Sequence, residues 1–448
     1  MKIDTFFNSD YINFASYDVY RKIANNIDGL KASSRKLTYA LQKNNINKSL
    51  KVSQIASRAS EDTQYLHGVT SLEGVLVSMA QEFPGTNNIP TIQRDGNFGN
   101  RTIPDASASR YIFSSKDPIF DVIYNPEDTP ILQKQTFEGA VIEPKFYVPI
   151  LPMILVNGAN GISIGFRQII LQRNPLELVK IIKNYLLKGC EVPDSILPWF
   201  GNNYSGTVKE TEPGSFELIG VYNTDTTNVI DITEIPIGYN LESYSIVLDK
   251  LVESEDAIKS YDDLSQDSNF HFKVYVKRAW FNKYKDKHDY IINKFKLIKH
   301  VTEQYYCLDD NQKIKEYSNV GEIFKEYINT RLEYYTKRKK YNIDRMQAEL
   351  DELYSKIMFI KMVVDGTIDM KKTTTDQICK MLDKNDKIIK INDSYNYLLN
   401  MSIRNLCKDK IIELAKKHKD ASKTLKEYKL YTIESLWLSD LEKFEKAY

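Results

Sequence analysis

Apolar positions change their spacing along this chain, and each spacing predicts a different kind of structure. From about Glu322 they settle into helical periodicity for roughly forty residues. Ile343, Met346, Leu350, Leu353, Ile357 and Ile360 alternate steps of three and four, the seam of a coiled coil. Gly366 breaks that run, and a short Thr- and Lys-rich helical region follows. A second seam then runs through Ile411, Leu414, His418, Ala421, Leu425 and Tyr428. Two heptad helices flanking a small insert predict a long antiparallel hairpin with a knob at its tip. An ordinary helical bundle fits the same spacings equally well.

Upstream the patterns are shorter. Tyr11–Leu41 reads as a helix, a turn at Asp28-Gly29 and a second helix, and Glu73–Phe83 as another helix closed by Pro84-Gly85. Between 145 and 310 strand-like runs at Phe146–Ile150, Met153–Val156, Asn228–Ile232 and Phe272–Val276 are punctuated by Pro149, Pro152, Pro198 and Pro236. That stretch is predicted to be a separate α/β domain.

Composition narrows the class. A chain of 448 residues has room for roughly two to four domains. No apolar run approaches the length of about 18 residues that argues for a membrane span, and the N-terminus lacks a signal-peptide layout, so a cytoplasmic protein is expected. The 61 basic and 60 acidic residues leave a net charge of +1, which announces no polyanionic partner but leaves local segregation open. Cys190, Cys307, Cys379 and Cys407 lack CxxC spacing, which argues against a zinc site or a disulfide framework.

The stretch with the most chemistry is Arg94–Phe113, RDGNFGNRTIPDASASRYIF. It holds a turn at Gly96, Asn97, Phe98 and Gly99, a basic residue at Arg101, and the pair Arg110-Tyr111. Tyrosine is a poor nucleophile at neutral pH, so a catalytic tyrosine needs a cation beside it and usually a metal to take up charge. Arg110 supplies the cation. Among 30 tyrosines the dipeptide alone decides nothing, and only its framework singles it out.

That framework extends over nearly the whole chain. Asp28 to Lys36 (DGLKASSRK), Lys51 to Ile55 (KVSQI), Tyr65 to Gly68 with Met79 to Gln81, Gly96 to Arg101, Arg110-Tyr111, Glu143 to Pro152, Asn157 to Gly165, and Leu436 to Phe444 stand in this order. In content and order they resemble the breakage–reunion subunit of type IIA DNA topoisomerases, most closely the medium subunit of T-even-like tailed phages. The resemblance implies a multidomain α+β fold. Residues 1–142 would form a winged-helix DNA-gate domain, 143–318 an α/β tower domain, 319–362 an outbound coiled-coil helix, 363–405 a helical exit-gate dimerisation domain, and 406–448 the return helix with a C-terminal segment.

By the same resemblance Tyr111 is the nucleophile that forms a 5′-phosphotyrosine link. Arg110 and Arg35 are cations at the reacting phosphate, and His67 a hydrogen-bonding partner to it. Ile170 matches the isoleucine that family members insert between base pairs, with core packing as the competing reading. Lys31, Lys51, Arg58 and Arg101 are candidate phosphate contacts, with a solvated surface role as the alternative. Neither Asp309-Asp310 nor Asp262-Asp263 has the context of a metal cluster. The resemblance therefore implies that Mg2+ and ATP are both bound by a partner ATPase/Toprim subunit, and that the chain acts on double-stranded DNA as a homodimer within a hetero-oligomer. Because no wrapping domain follows Phe444, relaxation and decatenation are expected rather than gyrase-type supercoiling. A DNA-binding protein that has lost its chemistry, a stand-alone nuclease or recombinase, and a purely structural coiled coil are the competing classes.

Overall fold

The structure, a computed structural model, describes residues 3–254, 257–370 and 372–448. It is mixed α/β with one very long helix, and it divides into two compact units, Met1–Leu332 with Leu438–Tyr448, and Glu333–Trp437.

In the first unit the helices Ile12–Lys22, Ala32–Lys43, Val52–Asp62 and Val69–Ala80 accompany a three-stranded antiparallel sheet. Phe113–Lys116 is its middle strand, between Leu50–Lys51 and Ile92–Asp95. The helix Ala32–Lys43 buries Leu37, Ala40 and Leu41, and with them the whole side chain of Arg35. The turn before it explains why. Asp28 accepts Arg35 Nε at 2.7 Å and Nη2 at 3.1 Å, and also the backbone N–H groups of Leu30 and Tyr147. At Gly29 the backbone is left-handed (φ +68°), and a Cβ there would lie 2.4 Å from the Ile154 nitrogen. No other residue type fits that crossing.

Two strand expectations fail around this point. Met153–Val156 is a single helical turn with all four side chains buried. Phe146–Ile150 joins no sheet; Tyr147 N–H donates to Asp28, and Ile150 N–H to the Ile123 carbonyl. A wholly buried apolar run has no period to read, and Pro149 and Pro152 remove ladder donors. The two runs with clear alternation are strands, Val229–Glu234 and Phe272–Val276.

Those two are neighbours in a four-stranded antiparallel sheet, ordered Val221–Asn223, Val229–Glu234, Phe272–Val276 and Ile258–Asp263. Ile230, Ile232, Phe272 and Val274 share a core with Tyr244 and Leu248 of the helix Leu241–Glu253. Trp280, Phe281, Ile291 and Ile292, from the short helices Arg278–Tyr284 and His288–Lys294, complete it. A second antiparallel sheet places Ser215–Ile219 between Ile298–Thr302 and Thr207–Glu212.

The other unit is the hairpin that the two seams predict. The helix Val320–Val364 is 45 residues long, and the helix Lys408–Leu430 returns along it. Tyr335 stacks on Trp437, Asn342 Nδ2 donates to the Tyr428 hydroxyl at 2.9 Å, and Tyr354 packs on His418. As one number rises the other falls, which fixes the antiparallel sense. Leu350, Ile360, Leu414 and Leu425 are buried and the remaining seam residues half-buried. Between the two helices Phe359, Ile368, Ile378, Leu382, Ile388, Tyr395 and Leu398 form a separate small core, which is the knob.

Two outcomes test this packing. Replacing Asp28 by Asn leaves the Arg35 charge buried without its partner, so the first unit loses about 3–5 kcal/mol of stability, seen as a lower urea midpoint by circular dichroism. Burial pushes the Cys307 thiol up to about 12. Iodoacetamide at pH 8 therefore modifies exposed Cys190 and Cys407 in the native protein and reaches Cys307 only after unfolding, as mass spectrometry of the digest reports.

Candidate functional site

Tyr111 is 68% exposed and sits in a turn closed by its own N–H to the Ala108 carbonyl at 2.8 Å. The turn is bracketed. The first N–H groups of a helix have no partner within it, and those of Val52 and Ser53 donate to the carbonyls of Ile112 and Ser109, on either side of Arg110-Tyr111. Buried Ile112 anchors the exit, and the Ser109 hydroxyl donates to Glu73 at 2.6 Å. The Arg110 guanidinium lies 4.8 Å from the Tyr111 ring centroid, and both side chains face solvent.

The glycine-rich loop is the support beneath that turn. A Cβ on Gly96 (φ +110°) would meet the Ile112 side chain at 2.9 Å, and one on Gly99 (φ +80°) the Pro104 carbonyl at 2.3 Å. Phe98 between them is buried, and Gln81 Nε2 donates to the carbonyls of both Phe98 and Pro104. The motif positions the tyrosine without touching its chemistry.

Three of the expected site residues stand elsewhere. Arg101 is buried, paired with Glu234 at 2.6 Å, donating to the Ile235 carbonyl at 2.8 Å, and covered by the rings of Tyr204 and Phe270. It is a strut and presents no face to a phosphate. Arg35 is fully buried against Asp28. Burial pulls its guanidinium down, and the Asp28 charge and hydrogen bonds more than restore it, so it stays charged and committed inside. Ile170 is 3% exposed, at the base of a hairpin where it faces Ala159 across from Phe166–Ile170 to Ala159–Ser163; as placed it packs and does not project.

Of the others, Lys51 and Arg58 lie at the surface and Lys31 is half-buried. Lys51 pairs in the sheet with Phe113, two residues beyond Tyr111, and is exposed, as is Arg58 on the following helix. Lys31 donates to the Asn160 carbonyl at 2.6 Å, and burial holds its ammonium below the ordinary range. Asn160 in turn helps line a groove of about 460 Å³ with Arg167, Lys299 and His300. Neither Arg167 nor Lys299 falls in a motif, which is why motif reading passes over them.

His67 belongs to a cavity of about 160 Å³ that it shares with Tyr17, Arg21, Lys36, Tyr65 and Glu143. The Tyr17 hydroxyl and His67 Nε2 are 3.0 Å apart, and Arg21 lies 5.5 Å over the Tyr17 ring. Lys36 bridges Glu143 at 2.8 Å. Neither Arg110 nor Tyr111 lines this cavity, so the histidine and the tyrosine form two separate groups within one chain. Arg21 and Lys36 are the cations that sequence reading missed. The signal for Arg21 was its position four residues after Tyr17 on one helical face. That for Lys36 was adjacency to Arg35, since consecutive helical residues point about 100° apart and one of the two must face outward.

Among the described residues no group of three or more His, Cys, Asp and Glu side chains could hold a metal ion, and no helix is long and apolar enough to cross a membrane.

Residues 21–442 match the family described as DNA gyrase/topoisomerase IV, A-type subunit. The chain is 30% identical to DNA topoisomerase 2 of Saccharomyces cerevisiae, with 100% of the chain and 35% of that protein covered. It is 31% identical to DNA topoisomerase 2 of Plasmodium falciparum, over 99% of the chain and 34% of that protein. It is 29% identical to DNA topoisomerase 2 of Invertebrate iridescent virus 6, over 99% of the chain and 39% of that protein. The chain thus spans little more than a third of these relatives' length. The crystal structure of the Plasmodium falciparum topoisomerase II DNA-binding, cleavage and re-ligation domain superposes with a TM-score of 0.89 at 31% identity, covering 99% of this chain and 64% of that one. Sequence and fold agree: this chain belongs to the DNA gyrase/topoisomerase IV family of breakage–reunion proteins.

Proposed function

We propose that this chain is the DNA-cleaving and religating part of a type IIA DNA topoisomerase, with Tyr111 as nucleophile. The observation that carries the reading is the exposed Arg110-Tyr111 pair on a turn bracketed by the Val52 and Ser53 N–H groups. The Tyr111 oxygen attacks a backbone phosphorus, its proton passing to water. The new O–P bond leaves a 5′-phosphotyrosine, and the P–O3′ bond breaks to leave a 3′ hydroxyl. One phosphodiester replaces another, so resealing is the reverse step and needs no external donor. Arg110 is close enough to the ring to meet the charge that builds on the non-bridging oxygens.

Cutting both strands takes two tyrosines, hence a two-fold homodimer. The separation of Tyr111 from the His67 cavity fits such a dimer, in which the His67, Arg21 and Lys36 group of one protomer serves the tyrosine of the other. Lys31, Lys51 and Arg58 hold the duplex through its phosphates. Residues 1–142 act as the winged-helix DNA gate and 143–318 as the tower. The coiled-coil helices of 319–362 and 406–448 carry the exit-gate module 363–405.

Mg2+ and ATP are held outside this chain, on the split-subunit plan of T-even-like phages or on further sequence of one longer polypeptide. The length of the relatives leaves room for either, and strand passage then yields relaxation and decatenation.

Supercoiled plasmid incubated with the chain, its ATPase/Toprim counterpart and magnesium, then stopped with detergent, becomes linear DNA with protein on its 5′ ends. Tyr111→Phe abolishes that product; free ends, or an unchanged yield from the variant, overturn the assignment. Should the chain alone relax DNA with ATP, the split-subunit plan is wrong. Arg110→Ala lowers the cleavage rate by about 10²–10³-fold with little change in duplex affinity, measured by quench-flow and anisotropy.

A further inference from the structure

The wall of the His67 cavity contains a side chain to which neither the motifs nor the cleavage chemistry gives a part. Tyr17 stands on the helix Ile12–Lys22, whose rotation is set by its neighbours. Val19 is the side chain that this helix buries. Asp18 is held by Lys22 at 2.8 Å and by the Ser163 hydroxyl at 2.7 Å. With those two positions fixed, the Tyr17 ring is left 43% exposed and directed at His67, fifty residues along the chain.

The contact is specific. The Tyr17 hydroxyl oxygen lies 3.0 Å from His67 Nε2, and the two rings are 27° from parallel with centroids 6.3 Å apart. Tyr65 meets the imidazole edge-on at 5.4 Å. Arg21, one helical turn beyond Tyr17, lies 5.5 Å from the Tyr17 centroid and holds that ring in turn. The imidazole is therefore gripped on two sides, with Nε2 already engaged. Among the described residues Nδ1 has no hydrogen-bond partner, and the Tyr17 hydroxyl has none besides His67.

We infer that Tyr17 is a positioning residue for His67: its hydroxyl donates to Nε2, fixes the imidazole proton on Nδ1, and leaves Nδ1–H as the donor to the reacting phosphate. The inference rests on the topoisomerase reading above, in which His67 serves the phosphate attacked by the other protomer's tyrosine, and names the residue that prepares it. The chemistry has one consistent direction. Phosphate oxygens only accept hydrogen bonds, so a neutral histidine holds one through an N–H. A neutral imidazole has a single N–H, and the bond made by one ring nitrogen decides the state of the other. If Nε2 gave its proton to the phenol oxygen, Nδ1 would present a bare lone pair, which repels a phosphate oxygen. If the phenol gives its proton to Nε2, the imidazole keeps its N–H for the ligand. A tyrosine, whose O–H is intact at neutral pH, supplies that proton, and a phenylalanine in the same place would keep the ring contacts without it. Holding the tautomer and the ring before DNA arrives reduces the freedom left to lose on binding.

Tyr17→Phe removes the hydroxyl and keeps the ring against His67 and Arg21, so it isolates the hydrogen bond. The chain has five histidines, and with their ring nitrogens isotope-labelled each gives its own proton–nitrogen correlation pattern by NMR; the pattern lost in His67→Ala is that of His67. In the full wild-type chain at pH 8 it is the pattern of the Nδ1–H tautomer, and in Tyr17→Phe it moves toward the Nε2–H form. With the ATPase/Toprim counterpart and magnesium, Tyr17→Phe forms the covalent DNA complex about tenfold more slowly at unchanged duplex affinity. In a His67→Ala background the same substitution causes no further loss, because its effect passes through the histidine. An Nε2–H pattern in the wild-type chain overturns the inference. So does a Tyr17→Phe chain with an unaltered tautomer, with an unaltered or raised cleavage rate, or with a loss that adds in full to that of His67→Ala. Should the wild-type chain form no covalent complex, the cleavage assignment fails; the tautomer is read on the chain alone and still upholds or overturns the Tyr17 contact.

Discussion

Much of the first unit hangs on one buried carboxylate. Asp28 receives two hydrogen bonds from Arg35 and one each from the backbones of Leu30 and Tyr147, and so ties a turn, a helix and a distant extended segment to one point. A carboxylate taken out of water is costly, and only a full set of donors with a partner charge makes the position tenable. Gly29 beside it lets the chain cross Ile154 at contact distance. From this knot the helix Ala32–Lys43 emerges with its rotation set. Arg35 therefore points inward, and Lys36, one residue on, reaches the His67 cavity. A motif that looks like a binding signature also orients the residue after it.

The same division of labour recurs. Arg101 with Glu234, Arg173 with Glu303, and Arg331 with Asp128 are buried pairs like Arg35 with Asp28. Among the described residues five arginines but a single lysine, Lys116, are buried. The guanidinium is less strongly hydrated than an ammonium and satisfies several acceptors at once, so it is the cation a core can hold. Lysine is left to the surface, where the charge balance of the whole chain hides a local excess such as that between 277 and 296.

This explains which parts were legible in the sequence. The two seams gave the coiled-coil hairpin because each helix has one wet and one dry side, and the alternating strands were readable for the same reason. Met153–Val156 was not, because burial on every side erases the period. Motif order led to Tyr111, and the bracketing of its turn is a property of backbone groups that no side-chain pattern displays. Arg35, Arg101 and Ile170 are buried, which their motifs do not display, for one reason. A cation or an apolar residue in a motif looks the same in sequence whether it faces a ligand or the interior. Only the neighbours decide, and Glu234 lies far along the chain from Arg101.

Rigidity and exposure are thus placed in opposition around the tyrosine. Ile112, Phe98, Gly96 and Gly99 allow the turn no slack, and the opening N–H groups of the helix Val52–Asp62 hold both its sides. Tyr111 and Arg110 are left as the solvated tip of an otherwise packed structure. A nucleophile that must meet a phosphorus within a few tenths of an ångström gains from such a base, because little conformational freedom remains to be lost on approach. The same tip lacks the second cluster of cations and the histidine, which lie in a cavity of their own. An arrangement that is rigid, exposed and chemically unfinished is suited to completion by another surface, and only when that surface and the duplex are both in place.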